Sequence, residues 1–301
     1  MMTDNGSLIL NKPAGMTSLD AVNKIRRLYG TRQVGHVGTL DPMATGVLCV
    51  LIGRAVKASE YAVLQKKTYR AGLKLGLTTD TEDISGKLLS HTVAPLPGKE
   101  EVIAAASSFL GEGSQIPPMY SALKRGGEKL CDLARKGVTV EREPRPITVY
   151  SLSCEAVNEE AGDYSLTVCC SKGTYIRTLC ADIGAKLGCG GVMSSLLRLE
   201  TGDFSLSQSH TLEELEALSQ EARKALLLPL ETLFADLPIL RLPGFFARLA
   251  LDGNEIYLSK LGLTFPEGQR LRLYDDSFFS LGEVRLFEKG LAVKPIKKFR
   301  L

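Results

Sequence analysis

The sequence lacks the long apolar runs and paired cysteines that mark several classes of protein. It has no run of about 18 apolar residues, so we predict no membrane-spanning segment. Its first residues lack a basic region followed by an apolar core, the pattern of a secretory leader. Seven cysteines without a C-x-x-C pair indicate reduced thiols and argue against zinc. We therefore expect a cytoplasmic protein.

Several common catalytic motifs are also missing. The glycine-containing loop around Asp41 has no lysine directly after its last glycine, which excludes a phosphate-binding loop. The chain contains neither G-x-S-x-G nor H-E-x-x-H, and its cysteines show no metal-cluster spacing. His91 and His210 are expected to be structural or solvent-facing. What remains is chemistry built on one carboxylate, without cofactor or metal.

What the chain does contain fits a folded protein of two domains. Its 301 residues exceed the ~100–200 of a typical domain, and 44% hydrophobic residues suffice for a core. The net charge is +3, and residues 211–236 are acidic, so the remainder is more basic. Basic side chains gather in three clusters, at Lys66, Lys67, Arg70 and Lys74, at Lys124, Arg125, Lys129, Arg135, Lys136, Arg142 and Arg145, and at Lys294, Lys297, Lys298 and Arg300. Each alone is typical of a solvated surface, but three favour a nucleic-acid partner.

The spacing of apolar residues predicts strands alternating with helices over the first 236 positions. Strands are predicted at 8–10, 47–52, 67–77, 147–156 and 164–170. Helices are predicted from a Thr17 or Ser18 cap to Gly30, at 101–110, at 175–187 and through the acidic stretch from a Thr211 capping box. In strand 67–77 the alternation points Tyr69 into the protein or a cleft, and simple core packing would explain it too.

The C-terminal part has a different pattern. Beyond Leu240, short apolar runs are separated by turn sequences, as in a small β-rich module. Pro238 and Pro243 lie in or beside the junction. We therefore predict two domains, residues 1–236 and residues 240–301.

One carboxylate, Asp41, stands in a loop that reads GHVGTLDPMATGVL at positions 35–48. Gly38 and Gly46 permit backbone angles closed to other residues, and Pro42 moves Asp41 out of the helical region. An ordinary Asp-Pro turn would explain the same residues. The loop by itself leaves both interpretations open.

The Asp41 loop resembles the catalytic loop of the bacterial tRNA pseudouridine-55 synthases, the TruB family. Other matches follow in the family's order: NKPAGMTS at 11–18, KTYRA at 67–71, QIPPMYSA at 115–122, SKGTYIRT at 171–178 and LGCG at 187–190. The resemblance implies an α+β fold with a mixed, mainly antiparallel sheet. The sequences FSLGEV at 279–284 and GLAVKP at 290–295 resemble PUA-like domains, which implies a small β-rich RNA-binding module.

The resemblance also implies roles for individual residues. Asp41 matches the catalytic aspartate, which acts as nucleophile or as the base that removes a sugar proton. Arg177 matches the arginine that holds this carboxylate, and its planar fork could grip both oxygens. Tyr69 matches the aromatic residue that stacks on uracil and assists deprotonation at C5. Tyr175 and Leu196 would line the same pocket.

Further implied roles concern RNA contact. His36 matches the histidine that fills the space left in the T-loop when the base leaves the stack. Lys12 is expected to brace the Asp41 loop. Two departures affect finer contacts: Arg198 stands alone where many members carry an arginine pair, and Cys131 replaces a common aromatic residue.

The implied activity is isomerisation of uridine to pseudouridine at position 55 in the T-loop of tRNA, without a cofactor. The implied protein is a monomer without an obligate protein partner or a membrane. An alternative is a non-catalytic RNA-binding or tRNA-folding protein, motivated by the basic clusters. A third hypothesis is a guide-dependent synthase within a ribonucleoprotein.

Overall fold

The computed structural model describes residues 5–62, 66–92 and 95–300. Its strands have the following bounds: β1 Gly6–Lys12, β2 Val34–Val37, β3 Thr45–Ile52, β4 Lys66–Leu75, β5 Leu77–Thr79, β6 Leu88–His91, β7 Gly111–Gln115, β8 Lys124–Arg125, β9 Glu128–Lys129, β10 Arg145–Asn158, β11 Asp163–Ser171, β12 Gly191–Thr201, β13 Phe204–Ser205, β14 Ile239–Arg241, β15 Ile256–Tyr257, β16 Arg270–Tyr274, β17 Phe278–Phe287 and β18 Gly290–Lys298.

The described ranges contain seven α-helices. Their bounds are α1 Ser18–Leu28, α2 Lys99–Ser107, α3 Leu130–Arg135, α4 Ile176–Lys186, α5 Leu212–Ala217, α6 Gln220–Ala225 and α7 Gly244–Leu251. Short 3₁₀ segments occur at Gly53–Ala58, Leu206–Gln208, Leu230–Phe234 and Leu258–Leu261. Over the described ranges, none of the helices has both the length and the apolarity needed to cross a membrane.

A nine-stranded sheet dominates the first part of the chain. Seven strands follow the order β1-β3-β12-β4-β11-β10-β7, while β2 pairs with β3 and β13 with β12. All of these pairings are antiparallel except β3 with β12, which is parallel. The predicted mixed, mainly antiparallel sheet is therefore confirmed. Its central parallel pair brings the chain just after Asp41 next to the Arg198 strand.

Helices α1, α2 and α4 contribute Ile25, Val102 and Ile183 to the same buried cluster as Leu48 and Leu73 from the sheet. Helix α1 begins as its sequence predicts. The Thr17 side chain accepts a hydrogen bond from the backbone N–H of Asp20, whose carboxylate accepts one from the Thr17 backbone in return. The helix ends before Gly30, which has a φ of 61°.

The prediction of one helix through the acidic stretch is wrong. Helix α5 ends because Leu218 has an extended backbone, with a ψ of 152°. Helix α6 then begins at Gln220 after a new cap residue, Ser219, whose hydroxyl accepts a hydrogen bond from the backbone N–H of Ala222. Strand β12 was not predicted. Its pairing with β3 and β4 on both sides, rather than a local pattern, keeps it extended.

The predicted β-rich character of the C-terminal part is confirmed. Its five strands follow the order β14-β16-β17-β18-β15, and the unpredicted helix α7 packs against this sheet through Ala247 and Ala250. A shared apolar cluster joins the two sheets, because Val47 and Leu51 of β3 pack in one cluster with Leu281 and Phe299. Burial of this cluster holds the C-terminal sheet against the large one.

Candidate active site

Asp41 lies in the loop between β2 and β3, residues 38–44, here called the Asp41 loop. Gly38 begins this loop with a φ of 73°, and Gly46 follows it with a φ of 100°. A Cβ at Gly46 would lie 2.2 Å from the backbone oxygen of Arg198. Only glycine therefore permits β3 to approach β12 directly after the loop.

Arg177, in the first turn of α4, forms an ion pair with Asp41. Its Nε lies 2.9 Å from Asp41 Oδ2, and the arginine side chain is only 5% exposed, against 36% for the aspartate. The expectation of a fork that grips both carboxylate oxygens is wrong. The Nη atoms instead donate to the backbone oxygens of Thr81, at 3.1 Å, and Tyr120, at 2.8 Å. These two carbonyls fix the guanidinium plane and leave Nε for the carboxylate.

A second carboxylate, Asp83, lies near the same arginine and was missed by the sequence reasoning. Asp83 Oδ2 is 3.9 Å from Arg177 Nε, and its side chain is 7% exposed. Its Oδ1 accepts hydrogen bonds from the Thr81 hydroxyl and from the backbone and hydroxyl of Ser85. The signal was present in TDTEDISG at positions 79–86, a polar stretch with three carboxylates after an apolar strand.

Tyr69 lies on β4 with its side chain buried, as the alternation predicts. Its register partner on β12 is Arg198, and Leu196 on β12 stands opposite Ala71 in the same pairing. Burial raises the pKa of Tyr69, while the adjacent Arg198 opposes that shift and the Asp41 charge adds to it. The tyrosine is thus a buried phenol within the field of Asp41.

Arg198 is the functional candidate whose importance only the structure reveals. It is completely buried, with 0% exposure. Its Nη2 donates to Gly38 O at 2.8 Å and its Nε to Val47 O at 2.7 Å, so it connects the two sides of the Asp41 loop. Within the described part of the chain it forms no ion pair. A cation between the leucines of SSLLRLE at 194–200 was the available signal.

Lys12 lies beneath the Asp41 loop. Its Nζ donates to Pro13 O and Met16 O, each at 2.8 Å, and approaches Pro42 O at 3.4 Å. Burial lowers the pKa of Lys12 to about 8, the Asp41 charge opposes the shift, and the Arg198 charge adds to it. This geometry agrees with a bracing role, because the amine connects the β1 end to the loop.

His36 and Tyr175 border this region from different elements. His36 lies on β2, and burial together with the Arg198 charge lowers its pKa. Tyr175 precedes α4, and the Gln115 side chain bonds both its backbone N–H, at 2.8 Å, and its backbone oxygen, at 3.0 Å. Burial is the main cause that raises the pKa of Tyr175. The Arg177 charge opposes this shift, and the Asp41 charge adds to it.

The arrangement combines one accessible carboxylate with buried cations and a buried phenol. Such a set can supply a carboxylate nucleophile or general base beside a buried aromatic ring. Metal-ligating side chains do not gather in groups of three or more anywhere in the described ranges.

Two family models and several curated relatives match this chain. Residues 26–176 match the family described as "TruB family pseudouridylate synthase (N terminal domain)", and residues 177–235 match "tRNA pseudouridylate synthase B C-terminal domain". A tRNA pseudouridine synthase B of Alkaliphilus oremlandii is 46% identical over 93% of both chains. One of Chromohalobacter salexigens is 44% identical over 95% of this chain and 92% of its own.

Solved structures support the fold. A chain in the crystal structure of a Cbf5-Nop10-Gar1 complex superimposes with a TM-score of 0.70 at 24% identity, covering 98% of this chain and 84% of that chain. The extent of the sequence matches decides the family. The chain belongs to the TruB family of pseudouridylate synthases.

Proposed function

We propose that this chain isomerises uridine to pseudouridine at position 55 in the T-loop of tRNA. The ion pair between Asp41 and Arg177 carries the proposal, because it holds an accessible carboxylate in a fixed orientation beside buried cations. The relatives named tRNA pseudouridine synthase B support tRNA as the substrate. The broken and the formed bond belong to one nucleotide, so the reaction needs no cofactor.

In this reaction the N1–C1′ bond breaks, the uracil turns, and C5 joins C1′. The proton on C5 passes to solvent, and N1 of the product carries a proton, so the atoms balance. Asp41 acts beside the sugar, either as the nucleophile at C1′ or as the base that removes a sugar proton. Arg177 keeps this carboxylate oriented. Tyr69 stacks on the uracil and assists the loss of the C5 proton.

His36, Tyr175 and Leu196 bind the RNA around the reacting nucleotide. Removing the uridine from its stack costs a few kcal/mol. An uncharged His36 fits the vacated, mainly apolar space better than an imidazolium, and its lowered pKa supports that form. Tyr175 and Leu196 then enclose the base on the other sides.

The proposal extends to the domains of the chain and its oligomeric state. Residues 1–236 form the catalytic domain and residues 240–301 a PUA-like RNA-binding domain. The separate five-stranded sheet that starts at Ile239 supports this division. The protein acts as a monomer in the cytoplasm, without an obligate protein partner.

Release of tritium from T-loop RNA labelled at C5 of uridine tests the proposed function. We expect release by the wild type and a fall of about 10⁴-fold for Asp41→Asn, the scale measured for loss of a central catalytic carboxylate. Asp163→Asn is the matched control, because Asp163 has similar exposure, 38%, and forms its ion pair with Lys74 instead of Arg177. The control should retain the wild-type rate.

A non-catalytic RNA-binding or tRNA-folding protein predicts a different result. The wild type would then release no tritium, and the wild type and Asp41→Asn would rescue misfolded tRNA equally well. That result would contradict the proposal. Activity of the purified chain on bare tRNA would exclude a guide-dependent synthase.

A further inference from the structure

A cleft lies between the 3₁₀ segment Gly53–Ala58, which follows β3 of the large sheet, and the C-terminal module. Its volume is about 840 Å³. Arg54 and Lys57 form one wall, and the other wall consists of α7 and the end of the chain. Six cations line the cleft: Arg54, Lys57, Arg248, Lys297, Lys298 and Arg300. Among its described lining residues, Asp252 is the one carboxylate.

Only some of the six cations are bound to groups of the protein itself. Arg300 is paired with Asp275, Lys297 lies 3.9 Å from a Glu60 oxygen, and Lys298 donates to Leu251 O at 2.7 Å. Arg54, Lys57 and Arg248 form no ion pair with any residue that the structure describes. Lys57 and Arg248 are exposed and come from opposite walls, so nearby cations repel across the cleft.

The position of the cleft separates it from the chemistry. The 3₁₀ segment Gly53–Ala58 follows the far end of β3, whose near end adjoins the Asp41 loop. Eight extended residues span roughly 23 Å at about 3.3 Å per residue. RNA duplexes are A-form, with a smaller rise per base pair than the ~3.4 Å of DNA, so that distance corresponds to at least roughly seven base-pair steps. A ligand in the cleft therefore does not contact the reacting uridine.

We propose that this junction cleft binds the phosphate backbone of tRNA outside the T-arm. The inference rests on the proposed function, which makes tRNA the substrate. One free phosphate carries only about two negative charges, too few to neutralise the unpaired cations Arg54, Lys57 and Arg248 on the two walls. A run of phosphodiesters places one charge at each nucleotide and can contact both walls in succession. Binding also removes the repulsion between the walls and connects the two domains through the RNA.

The role of the cleft is tested by comparing each protein on two RNA substrates, one with and one without the rest of the tRNA. The double variant Lys57→Ala/Arg248→Ala removes one unpaired cation from each wall without disturbing a buried contact. The control Lys260→Ala/Lys289→Ala removes two exposed cations of the C-terminal module that do not line the cleft. Each protein is assayed by tritium release on a full-length tRNA transcript and on the isolated T-arm stem-loop of the same sequence.

We expect the cleft variant to raise KM for full-length tRNA roughly tenfold with kcat unchanged, and to lower the salt slope of binding by about 1–2. Its kinetics on the stem-loop should equal those of the wild type. Equal effects on both RNAs, no effect on either, or the same loss in the control would overturn the cleft proposal. Loss of inorganic phosphate binding with unchanged tRNA kinetics would also overturn it. Absence of tritium release by the wild type would instead refute the proposed function.

Discussion

Two buried arginines flank the Asp41 loop, and their surroundings differ. Arg177 faces the carboxylates of Asp41 and Asp83, and its remaining donors reach two backbone oxygens. Arg198 has backbone oxygens and the Tyr69 phenol as neighbours, with no carboxylate paired to it among the described residues. The comparison indicates that Arg177 controls the direction of the Asp41 carboxylate. Arg198 controls the shape of the loop and keeps the pocket positive.

Among the variants that compare the two arginines, Arg177→Lys should have the largest effect. Lysine cannot reach Asp41 and both carbonyls at once, so the carboxylate loses its orientation in the transition state. We expect kcat to fall about 10³-fold with little change in KM, as for loss of a preorganised electrostatic contact. Single-turnover tritium release measures this fall.

Arg223→Lys is the control for that variant. Arg223 also binds several backbone oxygens, including Leu28 O and Leu215 O at 2.7 Å each, but it supports helices α1 and α5. Its replacement should cost stability and leave kcat unchanged. A wild-type kcat for Arg177→Lys would remove the functional distinction between the two arginines.

Arg198→Met should mainly lower stability. The carbonyls of Gly38 and Val47 would lose their buried donors, and an unpaired buried polar group costs about 1–3 kcal/mol. We therefore expect the free energy of unfolding to fall by about 3 kcal/mol in urea titrations, with an unchanged m-value. Arg241→Met, at an exposed arginine on β14, should change it by less than about 1 kcal/mol. Unchanged stability of Arg198→Met would contradict the structural role of Arg198.

The contribution of Lys12, which lies near both Asp41 and Arg198, to the free energy of unfolding should depend on pH. Burial lowers its pKa to about 8 in the folded protein, against 10.5 ordinarily. Between these values the unfolded chain binds more protons, so the Lys12 contribution to the free energy of unfolding rises with pH. We expect a rise of about 2 kcal/mol from pH 8 to 10.5 relative to Lys12→Met, from unfolding at several pH values. A pH-independent difference would show that the amine is not desolvated.

The smallest effect should be seen at His36. Burial is the main cause of its lowered pKa, and the Arg198 charge adds to the shift. Arg198→Met should therefore move the His36 pKa upward without restoring the ordinary value. Arg177→Met should leave the His36 pKa unchanged. Imidazole titration by NMR measures both, and equal shifts would show that the two arginines are electrostatically equivalent.

Much of the fold could be predicted because its signals are local. The Thr17 cap, the alternation that buries Tyr69 and the α4 stripe each depend on neighbouring residues. Strand β12 could not be predicted, because neighbouring strands on both sides stabilise it. The acidic stretch was predicted as one helix because its composition favours helix throughout. The backbone of Leu218 is extended instead, and Ser219 caps a second helix directly after it.

The sequence by itself determined that Asp41 lies in a glycine-bounded turn, that Tyr69 faces inward and that Arg177 lies in the first turn of a helix. These properties follow from backbone angles and periodicity. Only the tertiary structure decided which groups share one electrostatic field. The β4–β12 register places Arg198 beside Tyr69, and the separate segments around Asp41, Asp83 and Tyr120 meet at Arg177. Pairing across long sequence separations depends on strand register and packing, which no local pattern encodes.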